Sequence, residues 1–549
     1  MQAQHTNRPS RVAAGVAWGM GALLALPIVV LRYPPMGDLP MHEALVSLMR
    51  HMGDAAWEPA GVYRLNLGPP NQLFHWLAWA LSFALPTDLA CKIVVAAAVV
   101  ATPAAALRLA RYVGTTPWAA LLVAPLALGF AFRWGLVGNV LAPAVLLSSL
   151  PTLDALATAP TARRAAEAAG VTVLAYVAHE SALMALAIAA GVLAVWRGST
   201  LARDKGTLVM LRLAPLATAA ALAVFFWALD RRIKTPAILA VADTFGAGPI
   251  QRLADAPRVL LGPTEPVASY GAFAMYALAV AAFTVVGWRA RAAEPADPMR
   301  RRFVVIGALW AALYLAMPLA FSGATLLYQR FLPMAFALLV VVLAPPASAT
   351  MRPLLPLLAA ATSIASLFLV LPRFGSADRD FRDLDAVLAQ IAPCSAIAQL
   401  DLTPRAPGPV APVPGAAARA LAVRGGRLLF SFTDASISPV VVRRAHQWNE
   451  PVLRIVRDPT EFRPAHDFRR FRYALVRLAP EYVALSPVIA AIMAPEGKLA
   501  AQSGEWLLFE STLPVDPIES PDEPLPVPPQ ESLRERLSAL QAHASPQPQ

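Results

Sequence analysis

Long apolar runs separated by short basic segments fill the first two thirds of this 549-residue chain. They lie near residues 13–31, 90–107, 117–131, 135–150, 168–180, 182–196, 209–229, 268–288, 303–321, 330–345 and 353–372. Most approach the roughly 17–25 residues that cross a hydrocarbon core. They are rich in Ala, Leu and Val without alternation, so they read as helices and not as barrel strands. Residues 72–86 are apolar but number about 15, a length that suits an interfacial or re-entrant segment better than a span. The run 170–196 is interrupted by His179-Glu180. Two ionisable groups in mid-span cost about 2.5–3.5 kcal/mol each on insertion scales, so a turn is expected there, between two short helices.

After Leu371-Pro372 the pattern changes. Residues 373–515 mix charged, aromatic and apolar positions as a soluble domain does. A helix is expected over 384–391, and short strands over 396–402, 428–432, 440–443 and 505–510. From residue 516 to 549 the chain is rich in Pro and Glu, and it reads as a disordered tail with at most a short helix over 531–542, removable without loss. The predicted fold class is therefore an all-α polytopic membrane bundle of about eleven transmembrane helices, followed by a small C-terminal α/β domain. The predicted domains are 1–372, including an outer loop 32–89, then 373–515, then the tail 516–549.

Composition agrees with this pattern. Charged residues make up 15% of the chain, against roughly 25% in soluble proteins, and the mean hydropathy is +0.54. The net charge of +11 is no nucleic-acid signal, because only four of the 46 basic residues are lysine and the arginines are spread between spans. With the N-terminus inside, sixteen basic residues fall in inner segments and ten in the longer outer loops, as the positive-inside rule demands. Counting residues 72–86 as a span would move Arg300, Arg301 and Arg302 outside. The expectation is thus a multi-pass protein of the inner (plasma) membrane with an uncleaved N-terminal anchor and an extracytoplasmic C-terminal domain. Cys91 and Cys394 are too isolated to suggest a disulfide or a metal motif.

Four polar clusters fall at predicted outer ends of spans. The first outer loop carries Asp38, His42 and Glu43 within six residues. Asp38 there suits a general base or a metal ligand, although a charged helix cap in a solvated loop has the same composition. His179-Glu180 suits a polar pocket, against a plain hairpin tip. Arg133, in Phe132-Arg133-Trp134-Gly135, suits substrate binding, against an interfacial anchor. Arg330, in Tyr328-Gln329-Arg330-Phe331-Leu332-Pro333, lies where positive charge is disfavoured, and its planar fork matches a phosphate; a snorkelling arginine is the alternative. No P-loop, GxSxG, HExxH or CxxC occurs, so ATPase, serine hydrolase and zinc peptidase chemistry find no support.

Gly37-Asp38-Leu39-Pro40-Met41-His42 in the first outer loop, Pro69-Pro70-Asn71 before a short apolar helix, Arg108 and Arg111 after the next span, and Arg330-Phe331-Leu332-Pro333 at a late span together resemble the GT-C superfamily of integral-membrane glycosyltransferases. That group includes protein O-mannosyltransferases and lipid A aminoarabinose transferases. Gly504-Glu505-Trp506-Leu507-Leu508-Phe509 also resembles the end of the soluble domain of uncharacterised bacterial members. The resemblance implies transfer of a sugar from a polyprenyl-phosphate donor to a lipid or glycan acceptor, inverting the anomeric centre. It implies Asp38 as base and Arg330 as phosphate clamp; His42, Glu43, Arg133, His179 and Glu180, polar groups at outer span ends, are expected to bind substrate beside them. Many relatives carry a second acid directly after the loop aspartate; here Leu39 follows. No cofactor is predicted, and a divalent metal is left open. The alternatives are a transporter or flippase of lipid-linked glycans, which needs ionisable groups near the bilayer midplane, and a non-catalytic envelope assembly protein.

Overall fold

The computed structural model describes residues 7–59, 61–196, 206–230, 243–262, 266–291, 298–321, 324–348, 353–403, 415–448, 450–515, 531–536 and 538. Six helices among them are long and apolar enough to cross a membrane: Arg11–Val30, Thr87–Tyr112, Val137–Thr158, Gly206–Leu229, Tyr270–Arg291 and Leu354–Leu388. The chain is a polytopic helical membrane protein. The eleven expected runs do not become eleven uniform rods. Residues 117–134 bend through Ala119–Val123, a 3-10 turn at Ala124–Leu128 and Phe130–Trp134, with Pro125 lacking the amide that would continue the helix. The run 330–345 yields only the 13-residue helix Phe331–Leu343, and residues 72–86 yield the ten-residue helix Leu73–Ser82.

Small side chains set the packing at the centre. Ala119, Ala120, Ala124, Ala142, Ala168, Ala175, Ala182 and Ala185 have no exposed surface, and alanine lets helix backbones approach closely where lipid offers no hydrophobic drive to associate. The run 170–196 breaks where expected. Ala162–Ala178 and Glu180–Trp196 are separate helices, and His179 between them is extended, with φ −173° and ψ 146°.

Charges collect at both ends of the bundle. At the end of Val137–Thr158 remote from Asn139, buried Asp154 meets Arg302 at 2.6 Å and accepts the Tyr112 hydroxyl at 2.8 Å. Fifteen residues of helix separate Asp154 from Asn139, about 22 Å of rise. This pair is therefore well separated from the polar groups around Asn139.

The C-terminal region folds on a five-stranded sheet in the order Arg427–Leu428, Ala396–Asp401, Tyr473–Arg477, Trp506–Ser511, Gly497–Ser503. The first three strands are parallel and the last two pair antiparallel. Tyr473–Arg477, buried along its whole length, escaped the sequence reading because a strand covered on both faces shows no alternation. Three expectations are corrected here. The helix expected over 384–391 is the continuation of the last long helix, Leu354–Leu388, which passes through Pro372 and across the expected domain boundary. Most of 428–432 is not strand. Val440–Val442 joins no strand of the domain sheet but pairs antiparallel with Tyr63–Leu65 of the first loop, Tyr63 opposite Val442.

A piece of the tail also differs from expectation. Leu533 is 1% exposed in the core that contains Phe462, Phe468 and Ile492, and its amide donates to the Phe462 carbonyl at 2.8 Å. Arg536 pairs with Glu496 at 3.1 Å. Residues 531–536 are thus a docked clip, and the rest of 516–549 lies outside the described residues apart from Ser538. Leu533→Ala should destabilise the C-terminal domain by about 2–3 kcal/mol, the usual cost of emptying a buried leucine site. Thermal unfolding of the purified protein, compared with a chain ending at residue 515, measures it; two chains as stable as the parent would contradict the docking.

Candidate active site

Asp38 owes its position to two backbones. The amides of Gly37 and Asp38 donate to the carbonyls of Arg133 and Trp134, each at 3.0 Å. Pro40 in the first turn then starts the helix Leu39–Arg50, where a residue without an N–H costs nothing. The supporting turn closes at Gly135, whose φ is +76°. A β-carbon there would lie 2.5 Å from the Asp38 nitrogen, so both the left-handed backbone and the close approach require glycine. Asp38 is partly exposed. Burial pushes its carboxyl up to about 7, against the opposing pull of Arg330. The folded chain therefore holds this proton more tightly than the unfolded chain. Asp38 erodes stability progressively as pH rises from about 4 to about 7, a cost consistent with a functional rather than a stabilising carboxylate.

Arg330 is the second element. Its Nη1 lies 2.8 Å from His179 Nε2 and 2.8 Å from Glu180 Oε1, and its Nη2 donates to the Thr325 carbonyl at 2.8 Å. A guanidinium only donates. His179 Nε2 faces that donor, and on the other side of the ring Nδ1 accepts from the Ser181 amide at 3.0 Å and lies 2.9 Å from Ser181 Oγ. Ser181 Oγ accepts from Asn139 Nδ2 at 3.0 Å. The helix break at His179 is what brings the His179 and Glu180 side chains together at the mouth of the arginine helix.

Several buried polar atoms around this arginine have no partner: Arg330 Nε, Glu180 Oε2, Asn139 Oδ1, Asn71 Oδ1 and Gln329 Oε1. Asn71 has φ +65° and lies against Gly138, where a β-carbon would come within 2.1 Å of its Oδ1 and 2.7 Å of His179 Cδ2. Unsatisfied buried groups are costly, about 1–3 kcal/mol each, and these five make the surroundings of Arg330 a candidate ligand site. Asn139, Gln329 and Arg330 line a narrow crevice whose other walls are apolar, including Leu126, Phe130, Pro333 and Met334. A charged donor at one end of an apolar slot suits an amphiphile with an anionic head.

The remaining candidates separate from this centre. His42 is buried with its Nδ1 2.9 Å from His75 Nε2 and its ring against Phe432 of the C-terminal domain. Burial, reinforced by His75, holds its pKa well below the ordinary value. Glu43 is buried at 3.5 Å from Arg419. Glu43 thus faces Arg419 of the C-terminal region, while His42, one helical turn after Asp38, lies between Phe432 and the Gly135 backbone that supports Asp38. Arg133 contributes its carbonyl to the Asp38 loop, while its side chain stem packs against Gly262. Asp38 itself does not line the apolar crevice, whereas Arg330 does and acts electrostatically on Asp38. Sequence reading passed over Asn71, Asn139, Ser181 and Gln329 as site residues. The Pro-Pro-Asn turn and the Gln beside Arg330 were signals, but neutral polar residues carry no charge pattern to expose them. Among the described residues no three His, Cys, Asp or Glu side chains gather as a metal site.

Comparison with known proteins adds the fold. No protein-family model matches the chain. No curated protein matches it in sequence. Among solved structures, ArnT from Cupriavidus metallidurans in the apo state superposes over 90% of this chain and 97% of that one, with TM-score 0.52 and 12% identity. The same protein bound to undecaprenyl phosphate gives TM-score 0.47 at 12% identity over the same shares. An Archaeoglobus fulgidus oligosaccharyltransferase in complex with Zn and sulfate gives TM-score 0.38 at 12% identity, over 84% of this chain and 68% of that one. The chain therefore has the fold that its resemblance to GT-C glycosyltransferases implied.

Gly135→Ala should displace Asp38 at an expense of about 1–3 kcal/mol for the strained backbone, with loss of activity beyond that loss of stability. Thermal unfolding together with complementation of a deletion strain separates the two effects; full complementation would show that the turn does not set Asp38.

Proposed function

We propose that this protein is a membrane glycosyltransferase that uses a sugar carried on a polyprenyl phosphate and works at an extracytoplasmic membrane surface. The observation that carries the proposal is Arg330: a guanidinium fixed by His179, Glu180 and Thr325, with its Nε still unused, at the head of an apolar crevice and within electrostatic reach of Asp38. ArnT, whose fold the chain shares, has been crystallised with undecaprenyl phosphate.

In this reading the lipid phosphate meets Arg330, whose charge is matched to the negative charge that grows on the phosphate as the glycosidic bond breaks. Asp38, ionised, accepts the proton of the acceptor hydroxyl as that oxygen attacks the anomeric carbon. Attack opposite to the departing phosphate inverts the centre. The orphaned oxygens of Asn71, Asn139, Glu180 and Gln329 are free to accept sugar hydroxyls. Glu180 keeps Arg330 oriented. The arginine bias between spans supports putting this end of the bundle outside the cytoplasm.

Asp38→Asn should lower transfer by about 10²–10⁴-fold, the range for one acid–base group. Wild-type activity should rise with pH through about 7, where Asp38 loses its proton. Arg330→Lys should weaken undecaprenyl phosphate binding, since a point charge replaces a planar fork. Mass spectrometry of surface glycans in a deletion strain complemented with each variant, and a binding isotherm with undecaprenyl phosphate, test these outcomes. Unchanged glycans in the Asp38→Asn strain would remove the enzyme reading in favour of transport or assembly.

A further inference from the structure

The outer helix that begins at Asp38 is bordered along its length by the segment 415–424 of the C-terminal domain. Three contacts, roughly one turn apart, run in the same direction along both. The Gly415 amide donates to the Gly37 carbonyl at 3.3 Å. Arg419 reaches Glu43 at 3.5 Å. Ser47 Oγ donates to the Ala422 carbonyl at 3.0 Å. Gly415 sits so close that a β-carbon would lie 2.9 Å from the Gly37 carbonyl oxygen and 3.6 Å from the Asp38 α-carbon.

Arg419 is the charged centre of this seam and is 6% exposed. Besides Glu43 it donates through Nε to Asp385 at 2.6 Å and through Nη2 to the Tyr33 hydroxyl at 3.3 Å, with its guanidinium 4.8 Å from the centre of the Tyr33 ring. Tyr33 lies in the segment that leads into the Asp38 loop, and Asp385 lies on the last long helix, Leu354–Leu388. One side chain thus joins the entry to the loop, the first turns of the outer helix and the bundle. A single planar fork can meet carboxylates from two directions, and a lysine cannot. Neither partner is replaceable by water at this depth, because removing one member of a buried pair leaves the other uncompensated.

We infer that Arg419 is a positioning residue: by bridging Glu43, Asp385 and Tyr33 it fixes the outer helix so that Asp38 is held against the Arg133–Trp134 backbone, and the C-terminal domain is thereby a working part of the site. The inference rests on the role given to Asp38 above. Burial raises the Glu43 carboxyl to about 7 despite Arg419, so losing the cation favours the neutral form of Glu43 and frees the helix from its tether, while Asp385 keeps Arg32 as a partner.

The test uses the full-length protein in detergent with Arg419→Gln and Glu43→Gln, read by hydrogen exchange, undecaprenyl phosphate binding and surface glycan output in a complemented deletion strain. Exchange across residues 36–50 should accelerate on the order of tenfold in both variants, with the five-stranded sheet unchanged. Affinity for undecaprenyl phosphate, set at Arg330, should stay within about threefold, while glycan output falls. A purely structural role would instead accelerate exchange throughout the domain and lower binding and output together, overturning the inference. Unchanged exchange over 36–50 in both variants overturns it as well. Wild-type protein that fails to bind undecaprenyl phosphate would sink the transferase reading, and that result is separate from the exchange data.

Discussion

A guanidinium at the mouth of an apolar helix has to be met by polar partners, and the architecture around Arg330 follows from that requirement. Helix Phe331–Leu343 offers only hydrocarbon, so partners come from elsewhere: Thr325 from the preceding turn, and His179 with Glu180 from a break in another helix pair. The break needs His179 extended and Gly138 without a side chain beside it. That packing in turn admits Asn71 and seats the Pro-Pro-Asn turn on the end of the helix Ala162–Ala178, where the Gln72 amide donates to the Val177 carbonyl at 2.8 Å. One charge thus organises four chain segments.

The same logic separates the two ends of the bundle. Asp154, Arg302 and Tyr112 neutralise one another at the far end, with the Asp154 and Arg302 side chains only 2% and 5% exposed. At the Asp38 end Arg330 is paired but still has an unused donor, and orphaned oxygens surround it. At the far end too, Arg302 Nε lacks a hydrogen-bond partner; the Arg330 end differs in that its unpartnered atoms include the neutral amide oxygens of Asn71, Asn139 and Gln329 beside an apolar crevice.

The first loop and the C-terminal domain form one structure. Tyr63–Leu65 and Val440–Val442 share a ladder, His42 packs on Phe432, and Arg419 reaches back to Glu43. A short two-stranded ladder is marginal alone, so each side depends on the other. Glu43, close to Asp38 in sequence, thus serves the domain seam, and the partners of Arg330 come from distant segments.

Much was legible along the chain because local rules govern it. Apolar runs of bilayer length, the cost of His179-Glu180 within one of them, and the arginine bias between them follow from the price of putting polarity in hydrocarbon, which acts residue by residue. So did the change of character after Pro372 and the candidacy of Asp38, His179, Glu180 and Arg330 as polar groups at span ends. Only tertiary structure decided which of these groups meet. Arg330 finds His179 and Glu180 150 residues earlier, Asp38 leans on a turn at Gly135, and Glu43 faces Arg419. Such pairings depend on helix rotation and on the approach of distant backbones at glycines, and no local periodicity encodes either. The buried strand Tyr473–Arg477 and the docked Leu533 stayed hidden for a related reason: burial on every side, or against a distant surface, leaves no alternating pattern in the residues themselves.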